Sequence, residues 1–113
     1  MVQIFHNPRC KKSREGLEYL KSKNIDFEIV EYLKTGLDTD TLCAVAAKTG
    51  LKPHDLIRTQ ESVYKSDYKG KSFDDDQWLR IICENPKLLQ RPIVVGETKA
   101  ILAQPPEKMD SVL

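Results

Sequence analysis

The stretch Met1-Val2-Gln3-Ile4-Phe5-His6-Asn7-Pro8-Arg9-Cys10-Lys11-Lys12-Ser13-Arg14 decides how this chain is read. A short apolar run, Met1 to Phe5, ends in a polar turn, and a helical pattern begins directly after it. Cys10 then lies where the unpaired N–H groups of a new helix point outward. Those groups, with the positive end of the helix, favour a thiolate over a thiol. Arg9, Lys11, Lys12 and Arg14 add positive charge around it, and His6 adds more if protonated. The surroundings predict a reactive cysteine that meets an anionic substrate rather than a buried inert one.

Working outward, Val2 to Phe5 reads as a strand and Lys11 to Lys23 as a helix carrying Leu17 and Leu20, with Gly16 a small residue able to approach a sheet closely. Phe27 to Val30 reads as a second strand. Strand, helix, strand within about thirty residues fits a right-handed crossover in a parallel sheet. Asp38 or Thr39 caps a helix whose buried face includes Leu42, Val45 and Ala46, with Cys43 beside them, and Gly50 stops it. Pro53 opens another short helical turn bearing Leu56 and Ile57. Residues 60 to 72 read as a loop with local turns, with a helical piece around Ser62 to Tyr68 left open. Asp74 to Asn85 is the strongest helix, acidic in its first turn and apolar through Trp78, Leu79, Ile81, Ile82 and Cys83. Ile93-Val94-Val95 reads as a central strand and Lys99 to Ala103 as its hairpin partner, before a proline-started C-terminal helix. The order β-α-β, helical block, β-β-α predicts one α/β domain over residues 1–113, in two or three layers, with the helical block an insertion at about 38–89 between the halves of a thioredoxin-like pattern.

Size and charge agree with one small globular domain. The 113 residues are 40% apolar and 31% charged, and eighteen basic against seventeen acidic side chains leave a formal charge of +1. Bulk electrostatics therefore gives no support to a nucleic-acid or membrane partner. No apolar run approaches the roughly 20 residues of a membrane helix, and the N-terminus lacks a signal peptide's apolar core. Three cysteines, at positions 10, 43 and 83, fit no disulfide framework and suit a reducing cytoplasm. The absence of an oligomerisation stripe favours a monomer.

The chain resembles the glutaredoxin-dependent arsenate reductase family. His6 to Arg14 looks like its nucleophile loop and Glu31-Tyr32-Leu33-Lys34-Thr35 like its second-strand exit. Leu56-Ile57-Arg58-Thr59 and Leu89-Gln90-Arg91-Pro92-Ile93-Val94-Val95 look like its arginine-bearing segments, and Pro105-Pro106-Glu107 like the start of its final helix. The resemblance implies Cys10 as nucleophile, a histidine at His6 in the same loop, and oxyanion binding by Arg58 and Arg91. It places a third arginine where this chain has Gln104, a neutral amide that can hydrogen-bond an oxyanion but offers no charge. It also implies a cis peptide before Pro92.

Ser13 leaves a single thiol where a Cys-x-x-Cys pair would make a dithiol site. Its hydroxyl either caps the helix or hydrogen-bonds the thiolate. His6 either donates a hydrogen bond or positive charge to the sulfur, or ends the strand in solvent. Arg14 is the basic neighbour best placed to tune the site, while Lys12 faces outward. Cys43 and Cys83 read as small residues of apolar helical faces rather than resolving thiols. By resemblance the resolving partners are glutathione, as co-substrate, and glutaredoxin, with no bound cofactor or metal. The implied activity is reduction of arsenate, or a similar small oxyanion, to arsenite. Two alternatives stand beside it: a non-catalytic RNA-polymerase-binding regulator of the same superfamily, and a thiol oxidoreductase with another substrate.

Overall fold

A computed structural model describes all residues, Met1 to Leu113. Four short strands form one sheet in the order β2-β1-β3-β4: β1 (Val2–Phe5), β2 (Phe27–Val30), β3 (Ile93–Val95) and β4 (Ala100–Leu102). β1 runs parallel to β2, with Val2 opposite Phe27 and Phe5 opposite Val30. β3 lies antiparallel to β1, with Ile4 opposite Val94, and β4 closes a hairpin on β3. Residues on β1 and β3 alternate between the faces, as the two-residue period of a strand requires. Ile4 and Val94 join a small core with Leu20, Ala103 and Met109. Phe5, Ile93 and Val95 join the larger core on the other face, with Tyr32, Leu42, Leu56, Trp78 and Ile82. Both faces are covered, so the arrangement has three layers.

Helix α1 (Lys11–Lys21) covers the small core beside a C-terminal 3-10 segment, Pro106–Ser111. Gly16 faces the sheet: a Cβ there would lie 2.6 Å from Pro92 Cγ. The inserted block covers the other face. Its main helices are α3 (Thr39–Thr49) and α4 (Asp75–Glu84). Asp38 caps α3, its carboxylate accepting from the Thr41 N–H at 2.7 Å, and Gly50 ends the helix at φ 71°. Such a left-handed turn suits glycine because it has no Cβ to clash. Asp74 and Gln77 form a capping box at the start of α4. Short 3-10 turns at Pro53–Leu56 and Pro86–Leu88 complete the block.

Several expectations are corrected. The second strand leads straight into a one-turn helix, α2 (Tyr32–Thr35), because Tyr32 is drawn fully into the core. The helical piece left open around Ser62 to Tyr68 is present, as a π-helical turn over Tyr64–Tyr68. Both tyrosines belong to an aromatic cluster about Trp78, whose ring lies 4.8 Å from His54 and 4.9 Å from Phe73 between centroids. That packing is tertiary and leaves no periodic mark in the segment itself. Cys43 is exposed rather than part of the buried face. Leu42, Val45 and Ala46 occupy the i, i+3, i+4 stripe, and position 43 lies about 100° around the helix from Leu42, beyond the stripe's edge. Cys83 is half-buried against the larger core, and burial pushes its thiol up. The last strand is Ala100–Leu102, shorter than Lys99 to Ala103, and the final helix is 3-10 rather than α.

Candidate active site

The loop after β1 is set by its own short hydrogen bonds. The His6 N–H donates to the Val30 carbonyl at 3.0 Å, which holds the loop beside the end of β2. Asn7 Oδ1 accepts from the Arg9 N–H at 3.0 Å, and the Asn7 carbonyl accepts from the Cys10 N–H at 3.0 Å. The turn delivers Cys10 at φ −97°, ψ 124°, the extended geometry of an N-cap, while its carbonyl accepts from the Arg14 N–H. No closed side-chain cap bond forms there, so the Ser13 and Lys12 N–H groups remain directed at the sulfur. Burial pushes the Cys10 thiol up, but the Ser13 N–H, the Arg91 guanidinium beside it and the Lys12 N–H outweigh this. The net shift is downward, toward thiolate.

Cys10 opens on a small cavity of about 240 Å³ shared with Lys11, Lys12, Arg58, Gln60, Gln90, Arg91 and Gln104. Arg58 and Arg91 are distant in sequence, and an isolated antiparallel bridge, Ile57 to Leu89, brings their segments together. The Arg58 N–H donates to the Leu88 carbonyl at 2.7 Å and the Gln90 N–H to the Leu56 carbonyl at 2.8 Å. Arg58 also forms a close ion pair with Glu61 through Nη1. The peptide bond before Pro92 is cis, as is that before Pro105, which the sequence reading did not anticipate. The Ala103 N–H donates to the Pro92 carbonyl at 2.9 Å, and Gln104 Nε2 donates to the Arg91 carbonyl. Gln104 thus lines the cavity while bracing the segment that carries Arg91.

Three side chains behave differently from their sequence reading. His6 is neither at the sulfur nor in solvent. It is 5% exposed, and its Nδ1 lies 2.8 Å from Ser13 Oγ. Burial, opposed by Glu31 and Ser13, holds His6 below its ordinary range and favours the neutral ring, so it brings no fixed positive charge. The Ser13 hydroxyl bonds His6 and accepts from the Asn7 N–H at 3.0 Å; its backbone N–H, not its Oγ, faces Cys10. Arg14 turns back over the loop and donates to the Pro8 carbonyl at 2.9 Å, lining a separate groove with Pro8, Glu15, Tyr19 and Pro106. Helix geometry accounts for Arg14: one turn past Cys10, position 14 overlies the preceding loop. Lys12 is exposed, as expected, and also lines the rim of the Cys10 cavity.

Sequence reasoning missed Glu61, Gln60 and Gln90. An acid three residues after Arg58 was a usable signal for the ion pair. No group of three or more His, Cys, Asp or Glu side chains is arranged to hold a metal ion, and no helix is long and apolar enough to cross a membrane.

A thiol at the head of the first helix, two converging arginine segments and a cis proline beside them, on this mixed sheet, define a thioredoxin-like redox protein with an added helical block. Its sequence matches the profile of the ArsC family over residues 5–112. It is 39% identical to an arsenate reductase of Neisseria meningitidis over 99% of this chain and 97% of that protein. It is also 39% identical to the uncharacterized protein YfgD of Escherichia coli, over 96% of this chain and 92% of the other. The fold superposes on an arsenate reductase from Vibrio cholerae with a TM-score of 0.94 at 36% identity, covering 99% and 97% of the two chains. The chain belongs to the ArsC family, as an ArsC-like redox enzyme.

Proposed function

We propose that the protein reduces arsenate, or a closely similar oxyanion, to arsenite with Cys10 as nucleophile and Arg58, Arg91 and Gln104 around the anion. The observation that carries this reading is the shared cavity: a thiol held toward its charged form opens onto the same small space as two guanidinium groups. Guanidinium suits a tetrahedral oxyanion because its planar fork offers paired donors, and it stabilises oxygen charge during displacement. His6 and Ser13 act as the brace of the nucleophile loop, and Pro92 holds Arg91 against α1.

In the first step the Cys10 sulfur attacks arsenic. A sulfur–arsenic bond forms, one arsenic–oxygen bond breaks, and that oxygen leaves as water after taking up protons from solvent. A glutathione thiolate then attacks the Cys10 sulfur. The sulfur–arsenic pair returns to arsenic, which passes from As(V) to As(III) and leaves as arsenite, and a Cys10–glutathione disulfide remains. A glutaredoxin thiolate attacks the glutathione sulfur and releases the Cys10 thiolate. The two electrons come from the glutathione and glutaredoxin thiols, which end as a mixed disulfide. External thiols are required because Ser13 stands where a second loop cysteine would be, and Cys43 and Cys83 lie on the helices of the inserted block, outside the cavity. Such chemistry belongs in a reducing cytoplasm, with the protein acting as a monomer.

Arsenate-dependent turnover with glutathione and glutaredoxin, followed in the parent, Cys10→Ser and Gln104→Arg, tests the proposal. The parent turns over, Cys10→Ser does not, and Gln104→Arg is faster because it adds a charge at the cavity wall. No turnover in either the parent or Gln104→Arg would sink the arsenate assignment. A second reading is favoured by one observation: Glu61 neutralises Arg58, leaving less free positive charge at the cavity. A thiol oxidoreductase that removes glutathione from other thiols would need less of it, and turnover on a glutathionylated peptide without arsenate would select that reading.

A further inference from the structure

Of the two guanidinium groups that open on the Cys10 cavity, only one carries a carboxylate of its own. Arg58 pairs through Nη1 with Glu61, a residue outside the cavity lining. Arg91 forms no ion pair, and its Nε is buried without a partner. The Arg58–Glu61 pair differs from a loose surface contact, because both side chains are half-buried and the backbone places the acid. The Glu61 N–H donates to the Arg58 carbonyl at 3.2 Å, and the Lys65 N–H donates to the Glu61 carbonyl at 3.1 Å. The turn so formed runs into the π-helical turn whose Tyr64 is buried against Trp78. A guanidinium has five N–H donors, so Arg58 can hold Glu61 and still offer others to a ligand, but its charge is already balanced. The neutral Gln104 adds no charge to the wall, and its Nε2 is given to the Arg91 carbonyl.

We propose that Glu61 sets how tightly the cavity holds an oxyanion: its carboxylate competes with the anion for Arg58, so a tetrahedral anion that forms no bond to Cys10 is held weakly. The inference rests on the cavity being an oxyanion site, and adds a positioning residue that acts on it through Arg58. Two anions on either side of one guanidinium are about 7 Å apart, where a unit charge shifts binding roughly threefold in bulk water and roughly fiftyfold at a dielectric of about 20. A half-buried pair lies between these limits, at about tenfold. Phosphate, which only occupies the cavity, depends wholly on such charge contacts, whereas a substrate that bonds to the sulfur does not. Glu61 thus keeps Cys10 accessible among bystander anions. Glu61→Gln separates this role from mere anchoring, because the amide oxygen still accepts from Arg58 Nη1 while the charge is gone.

The test is protection of Cys10 from iodoacetamide by inorganic phosphate at fixed pH and ionic strength, read by peptide-resolved mass spectrometry because Cys43 is exposed and also reacts. The parent, Glu61→Gln, Arg58→Gln and the double variant are compared, each against its own rate without phosphate. The half-protecting concentration falls about tenfold in Glu61→Gln and rises in Arg58→Gln, and adding Glu61→Gln to Arg58→Gln changes it no further. A merely structural role for Glu61 would lower the melting temperature without tightening the anion. Equal or weaker protection in Glu61→Gln than in the parent would overturn the proposal while leaving the anion site intact. The same tightening in the Arg58→Gln background would overturn the route through Arg58. No protection in the parent or in Glu61→Gln would overturn both this inference and the oxyanion reading of the cavity. Should Glu61→Gln fail to fold, the side-chain carboxylate carbon resonance of Glu61 in glutamate-labelled parent decides: it moves with phosphate at the concentration that protects Cys10, and a resonance that stays put while Cys10 is protected overturns the proposal.

Discussion

Gly16→Ala is the sharpest probe of how the fold holds the site. Gly16 sits in the middle of α1, where alanine is intrinsically the better residue by about 0.8–1 kcal/mol. Against that gain, the new Cβ would lie 2.6 Å from Pro92 Cγ, 0.8 Å inside the 3.4 Å at which ordinary contact begins. Cγ belongs to a closed ring, so it cannot swing aside as the end of a lysine would; a change of pucker relieves only part of the overlap. Overpacking of this kind costs about 1–3 kcal/mol. The balance is a net loss of about 1 kcal/mol, or roughly a 4 °C lower melting temperature for a chain of this size. The functional consequence exceeds the stability change. Separating α1 from Pro92 moves Arg91 away from Cys10, because Arg91 is the preceding residue and Cys10 caps the same helix. Thermal melts by circular dichroism, with Cys10 alkylation profiles on the same samples, measure both effects. A melting temperature raised by roughly 4 °C, the value expected of helix propensity acting alone, with an unchanged Cys10 profile would refute the close-approach argument.

Two further outcomes concern single interactions. Asp38→Ala removes the N-cap of α3 and should lower stability by about 1 kcal/mol in urea unfolding, with Asp38→Asn recovering most of it; equal loss in both variants would mean that charge, not capping geometry, is at work. His6 is buried and held toward its neutral form, so the folded chain binds fewer protons there than the unfolded chain. The stability that this neutral ring contributes is complete above about pH 6.5, the unfolded value, and is lost as pH falls through the lower folded value. Unfolding measured between about pH 7.5 and about pH 5 should therefore show a shallower pH dependence in His6→Gln than in the parent, and superimposable slopes would remove His6 as the titrating group.

Much of the site was legible because its signals are local. Cys10 could be placed at the head of a helix since an apolar run, a turn and a basic helical start are adjacent in the chain. Asp38 and Gly50 marked the ends of α3, and the β-branched Ile93-Val94-Val95 marked a central strand for the same reason. Arg58 and Arg91 were different: they were singled out by resemblance, and their meeting depends on the bridge between Ile57 and Leu89, far apart in the chain. Tyr64 and Tyr68 looked like loop residues since Trp78, which gathers them, is supplied by another helix.

The opening stretch, taken alone, determined that a thiol would stand at a helix N-terminus among positive charges, because backbone turn chemistry and helix polarity operate within a few residues. Tertiary structure alone decided which neighbours reach that thiol. Packing turned His6 and the Ser13 hydroxyl toward each other, sent Arg14 over the loop, committed Gln104 Nε2 to the Arg91 carbonyl and paired Arg58 with Glu61. Side-chain partnerships of this kind follow from where whole elements dock, and docking is set by burial over both faces of the sheet rather than by any run of adjacent residues.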